Sequence, residues 1–295
     1  MHPVYCQISK IGLGCVTFGR EIDKKASFTM MDHGFERGIT FFDTAAAYGD
    51  GISESIVGEW LVVNPRAAAS IMVATKILPP FSPENITASV DLSLKRIGTD
   101  TIDLLYFHRW DPSADVAAML KTMNDLVENG KVRSPGASNF TAEQLRNTLQ
   151  LQKDHGFAKL GFAQNNHNVA VSDINEEFRR VCTAHDIRII TYSPLGAGFL
   201  TGKHQRGVQS GSRFALVPGH QEIYFQETAN RRFAKLQQLA SRSGHTTTHL
   251  ALAWAMHQPG VTSVLISGRV PAHIDQAFAA LAFDAPDLLD KIDLT

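Results

Sequence analysis

Short apolar runs alternate with amphipathic stretches of helical period along almost the whole chain, and this alternation restricts the fold more than any other feature. Runs rich in branched or aromatic residues occur at 39–43 (ITFFD), 71–77 (IMVATKI), 101–108 (TIDLLYFH), 161–164 (GFAQ), 187–193 (IRIITYS) and 261–267 (VTSVLIS). IGLGCVTF at 11–18 and VRSPGASN at 132–139 fit less cleanly. Most are apolar on both faces, as expected of parallel strands covered on each side. Between them the helices carry readable ends. Ser82 can cap, Pro83 fits the first helical position and Gly98 closes the far end, with Ile86, Val90, Leu94 and Ile97 on one stripe. Thr141 with Gln144 forms a capping-box pattern, and Val116, Leu120, Met123 and Val127 repeat the stripe ahead of Gly130. Eight strand–helix units with no dividing linker predict an α/β fold, a single-domain (β/α)8 TIM barrel over residues 1–295. A doubly wound open sheet is the alternative, and no GxGxxG follows a predicted strand to support it.

Two places break the pattern. Pro135 lies inside the fifth run, where it removes a ladder donor and predicts a local bulge. Residues 196–226 are rich in glycine and lack clear periodicity. This long loop follows the seventh strand, so in a barrel it lies on the C-terminal face and can cover a ligand.

Composition removes several functional classes. The formal charge is −1 and there is no basic run, so nucleic acid is not an expected partner. No apolar stretch of about 18 residues is present to cross a membrane, and the opening MHPVYCQISK lacks an apolar core of signal-peptide length. Cys6, Cys15 and Cys182 are odd in number and widely spaced, which suits a cytoplasmic location. None of the 12 histidines falls in a zinc-ligand spacing, so no metal is expected.

Barrel active sites are built at the C-terminal ends of the strands. Asp43 ends the second run, Tyr48 follows it in FFDTAAAYG, Lys76 ends the third and His108 the fourth. Singly, each has an ordinary explanation: a turn or cap for the aspartate, a snorkelling lysine, a satisfied half-core histidine. Four at the mouth of adjacent strands are hard to attribute to packing, and their chemistry is complementary. A phenol can protonate a developing alkoxide, an ammonium beside it favours the phenolate and lowers its pKa, and a carboxylate keeps the lysine charged. Histidine then hydrogen-bonds the substrate carbonyl.

DTAAAYG with GISESIVGEWL, ATKI, LLYFHRWDP, GASNF and TYSPLGAGFLTGK, in this order, resemble the aldo-keto reductase superfamily from about Ile11 to Leu281, and HRWDP looks most like its aryl-alcohol-dehydrogenase and general-stress branches. The resemblance implies a (β/α)8 barrel, NADPH-linked reduction of a small-molecule carbonyl substrate, and a tetrad of Asp43, Tyr48, Lys76 and His108. It further implies that Ser138, Asn139 and Gln164 bind the nicotinamide carboxamide and that Tyr192 stacks on the ring. Ser193, Leu195, Gly196, Leu200 and Lys203 match pyrophosphate and lid positions, and Gln276 an adenine contact. Arg269 falls where an arginine grips the 2′-phosphate, which favours NADP(H).

There are departures. Ala277 stands where the family often has an asparagine, so one adenine contact is expected to be missing. The chain stops at DLLDKIDLT, soon after the last predicted helix, which implies an open substrate pocket shaped by Phe18, Tyr48, Arg109, Trp110 and the long loop. Trp254 falls on a helix stripe and is expected in the core. Two other functions remain open: a non-catalytic, cofactor-sensing partner protein, as in the superfamily's potassium-channel β-subunit branch, and an aldolase-like barrel using Lys76 as a Schiff-base amine. The second needs a neutral lysine, which a neighbouring Asp43 opposes.

Overall fold

A computed structural model describes residues 8–292. Eight parallel strands close on one another in sequence order: β1 (Ile11–Gly14), β2 (Phe41–Asp43), β3 (Met72–Ile77), β4 (Ile102–Phe107), β5 (Val132–Ser138), β6 (Phe162–Asn166), β7 (Arg188–Tyr192) and β8 (Val261–Ile266). The seam between β1 and β8 pairs Ile11 with Val264 and Leu13 with Ile266. At least one helix packs outside after each strand, which gives the (β/α)8 barrel that the alternation predicts.

The helix ends follow from their residues. Ser82 accepts the Asn85 amide at 3.2 Å and Gly98 closes Pro83–Ile97 in the left-handed region. Thr141 and Gln144 make the reciprocal capping box of Ala142–His155.

Strand pleat sorts the side chains into two cores. Phe41, Ala74, Leu104, Tyr106, Phe162, Ile190 and Leu265 fill the barrel interior, while the larger core lies between sheet and helices and holds Phe42, Trp60 and Trp254. Gly12 leaves room within the barrel; a Cβ there would lie 2.7 Å from Leu265. With period two, the residues two beyond Phe41, Ala74, Tyr106 and Phe162 share the interior face one layer higher. Those residues are Asp43, Lys76, His108 and Gln164. The fold therefore delivers four polar groups to the top of the barrel.

Pro135 causes no bulge. It sits opposite Leu105 in a regular β4–β5 ladder, and β5 and β6 begin their pairing one residue later, at Gly136 and Phe162. Its carbonyl accepts the Gly161 amide at 3.0 Å, and its missing N–H falls before that ladder starts. The register shift found among these strands is at Ile189/Ile190, between β7 and β8. The 196–226 interval is also more ordered than its composition predicts. It contains a 3₁₀ turn, Gly196–Thr201, and two short helices, Arg213–Leu216 and Gly219–Tyr224, seated on Phe214 and Tyr224. One or two helical turns are too short to show a period.

Cys15 and Cys182 are buried and, among the described residues, unpaired; Cys6 lies outside them. Among the described residues, no helix is long and apolar enough to cross a membrane.

Candidate active site

Asp43, Lys76 and Tyr48 form a continuous chain of contacts. The Lys76 ammonium, fully buried, donates to Asp43 Oδ1 at 2.5 Å, to the Thr44 carbonyl at 2.8 Å and to the Tyr48 hydroxyl at 3.4 Å. It also lies 5.0 Å from the Tyr48 ring centroid. The other Asp43 oxygen, Oδ2, accepts the Gln164 side-chain amide at 2.7 Å. Tyr48 is positioned by a tight turn, with Gly49 and Asp50 both in the left-handed region. Its ring meets His108 edge-on, centroids 6.0 Å apart.

Burial is the largest influence on all of these groups. For Lys76 it is outweighed by Asp43 and Tyr48, which hold the amine above its ordinary pKa and therefore charged. That is the role expected for Asp43. For Tyr48, burial pushes the phenol above its usual value, and Lys76 opposes this without overcoming it. The expected net lowering of the Tyr48 pKa is thus corrected: desolvation of a phenolate outweighs one ammonium at 3.4 Å. His108, desolvated and close to Lys76 and Arg109, is lowered to about 3 and is neutral at ordinary pH. Among the described residues its Nδ1 has no hydrogen-bond partner.

Tyr48 and His108 open onto a cavity of about 460 Å3, a size ordinary for ligand sites. Of the residues expected at a cofactor, Ser138, Asn139, Gln164, Tyr192, Ser193, Leu195, Lys203, Arg269 and Gln276 line it. Lys76 is behind this wall, supporting Tyr48. Asn139 is fully engaged: its amide donates to the His108 carbonyl (2.8 Å) and to Ser138 Oγ (3.1 Å), and its oxygen accepts the Tyr192 hydroxyl at 2.6 Å. Asn139, Ser193 and Ala197 have positive φ, so three of the five described non-glycine residues in that region line this cavity. Backbone held this way concentrates at ligand sites.

Other expected residues are elsewhere. Phe18 is fully buried in the outer core, so it cannot shape a substrate pocket. Arg109 is exposed, and Trp110 packs edge-on against Phe140 at 5.1 Å; neither lines the cavity. Leu200 is buried in the core. Gly196 lies against Tyr224, where a Cβ would approach its ring to 2.9 Å, so it secures the loop. Ala277 is wholly buried and is not among the residues that line the cavity. Trp254 is in the core, tilted against His167 with ring centroids 5.0 Å apart.

Sequence reasoning missed several cavity residues, among them Glu21, Arg213, His220 and His273. Glu21 accepts from Arg20 at 2.7 Å and from Arg213 at 3.1 Å, tying the loop after β1 to the segment after β7. The guanidinium of Arg269 donates to the Gly211 carbonyl at 2.7 Å, a second tie to that segment. No local signal marks these residues, because their proximity is created only when the barrel closes.

A buried Asp–Lys–Tyr relay therefore stands beside a neutral histidine at the mouth of an eight-stranded barrel. Residues 10–288 match the model of the aldo/keto reductase family, and the chain belongs to that family. It is 31% identical to a probable aldo-keto reductase 1 of Glycine max, over 94% of this chain and 82% of the relative. It is 29% identical to a probable voltage-gated potassium channel subunit beta of Arabidopsis thaliana, over 97% and 92%. A putative aryl-alcohol dehydrogenase of Schizosaccharomyces pombe is 27% identical over 88% and 85%. Membership and these oxidoreductase names support carbonyl reduction as the general chemistry, with a nicotinamide cofactor as is usual in the family.

Proposed function

We propose that the protein is an NADPH-dependent reductase of aldehydes or ketones. The observation that carries this reading is the relay from Asp43 through Lys76 to Tyr48, which opens beside neutral His108 into a cavity also lined by Lys203 and Arg269. The residues present suit the cofactor. Gln164 has spent an amide N–H on Asp43 and keeps its carbonyl oxygen as an acceptor, while Ser138 keeps its hydroxyl proton; together they suit a carboxamide. Lys203 and Arg269 supply cations for phosphate. When bound, the reduced nicotinamide supplies a hydride to the carbonyl carbon.

Everything else falls to the chain's own side chains. His108, neutral, donates a hydrogen bond that orients the carbonyl oxygen. Tyr48 accepts from Lys76 and so has its own O–H free to give to that oxygen as charge develops on it. The fixed Lys76 ammonium stabilises the phenolate left behind, and Asp43 keeps that ammonium charged. Because burial keeps the free phenol protonated, the acid form is ready at neutral pH. An amine with all three protons engaged and its pKa raised is the wrong state for a Schiff base, which weighs against the aldolase reading.

Tyr48→Phe should bind NADPH as the parent does, by fluorescence titration, and lose about 10²–10⁴-fold in turnover. Full turnover in that variant would overturn the mechanism. Substrate class is addressed by NADPH consumption across aromatic aldehydes, sugars, small dicarbonyls and bulky ketones. The likeness to a potassium channel β-subunit keeps a second reading: tight cofactor binding with no turnover on any of these would favour a sensor.

A further inference from the structure

Lys203, Arg269 and His273 line the cavity from separate parts of the chain: the turn after the 3₁₀ segment, the loop after β8, and the first turn of the helix Pro271–Leu281. Among the described residues neither Lys203 nor Arg269 has a carboxylate partner. The cavity's own acids are already committed, Asp43 to Lys76 and Glu21 to Arg20 and Arg213. This part of the cavity therefore carries uncompensated positive charge. His273 has an unusual place beside it. Its Nδ1 accepts the backbone N–H of Arg269 at 3.2 Å, so the neutral ring holds its proton on Nε2. Gly268 makes that contact possible, since a Cβ there would lie 2.9 Å from the His273 Cβ and 3.1 Å from Nδ1.

We propose, resting on the cofactor reading above, that His273 is a proton-accepting contact for the additional phosphate of a phosphorylated nicotinamide nucleotide, so that binding this nucleotide takes up a proton and preference over the unphosphorylated form strengthens as pH falls. Without ligand, burial and the neighbouring charges of Lys203 and Arg269 keep the ring below its ordinary pKa. Those are the two charged groups that act on it. Asp275, on the same helix, is paired with His33 at 2.9 Å and lies near Arg37 at 3.7 Å. When a phosphate dianion arrives, it offsets the two cations and favours the imidazolium. The proton comes from solvent and goes to Nδ1. That ends the bond from the Arg269 amide, and the freed amide becomes a further donor to the phosphate, beside Nδ1–H. Because the bound pKa lies above the free one, the added affinity is complete below the free-site pKa and is lost as pH rises through the bound value.

Calorimetric titration with NADP+ and with NAD+, in two buffers of different ionisation enthalpy across roughly pH 5 to 8, tests this. The expected result is proton uptake with NADP+ and none with NAD+, and an NADP+/NAD+ affinity ratio that falls by up to about tenfold per pH unit. His273→Gln, a neutral donor, should abolish the uptake and weaken NADP+ at low pH by about tenfold. His273→Lys should restore the preference without the pH dependence. Phosphate's own second ionisation acts in the opposite direction and is common to all three proteins. Equal proton exchange in parent and His273→Gln on binding NADP+ would overturn the proposal while leaving the cofactor reading intact. Failure of both nucleotides to bind would overturn the two together.

Discussion

At the scale of single residues the site is governed by what burial costs a charge. Lys76 and Asp43 are both removed from water and tolerate it only as a pair. Removing one partner strands the other, a change that typically costs about 3–5 kcal/mol. Lys76→Met should therefore lower stability in urea unfolding by about that amount, and adding Asp43→Asn should recover part of it; if the double variant is no more stable than the single one, the pair is not the source. Asp43, Lys76 and His108 are legible in the sequence because strand period two and the barrel rule place them together, whereas Tyr48 stands in the turn after β2 and is marked only by its motif, DTAAAYG. The sign of the Tyr48 shift is not legible in that way. It depends on how completely water is excluded, which a residue string does not express. His273 is equally invisible, because its partner Arg269 matters through a backbone amide and its charge setting through Lys203, 70 residues earlier.

Elements explain what goes wrong for Phe18, Leu200 and Pro135. Each was expected at a place defined by its strand or loop, yet the decision is made by neighbours: the helix Ile52–Val63 beside Phe18, the seating of the 3₁₀ turn for Leu200, and the late start of β6 for Pro135. The same helix supplies a packing prediction. Gly58 lies against the end of Pro83–Ile97, where a Cβ would come within 2.7 Å of the Ile97 carbonyl carbon. Backbone there cannot step aside as a flexible side chain can, so Gly58→Ala should cost about 3 kcal/mol in chemical unfolding. The segment after β7 is tied down differently, by Glu21–Arg213 and Arg269–Gly211. Glu21 is buried but stays paired with Arg20, so Arg213→Ala should lower global stability by about 1–3 kcal/mol. Faster hydrogen exchange or proteolysis confined to residues 203–226 is the expected signature; an unchanged exchange pattern there would show that the pair does not hold the segment.

For the whole molecule, pH acts through histidines buried in neutral form. His108 is lowered to about 3 and His167 to about 4, chiefly by desolvation, against about 6.5 in an unfolded chain. Groups with depressed folded pKa contribute stability that is complete above the unfolded value and is lost as pH falls toward the folded ones. Tm should therefore decline progressively from about pH 6.5 downward, and His167→Asn should flatten part of that decline. A Tm independent of pH between about 6.5 and 4 would refute the burial of these rings as neutral species.

The three contacts of the Lys76 ammonium also bear on durability. A protein proposed to meet aldehydes keeps a primary amine within one residue's reach of them, and primary amines are what aldehydes damage. With every N–H of Lys76 occupied and Tyr48 standing between it and the cavity, that amine is shielded. Adducts formed during long exposure to a reactive carbonyl should accumulate on outward lysines such as Lys121 and Lys24, and the catalytic centre should be the last place where turnover inflicts harm.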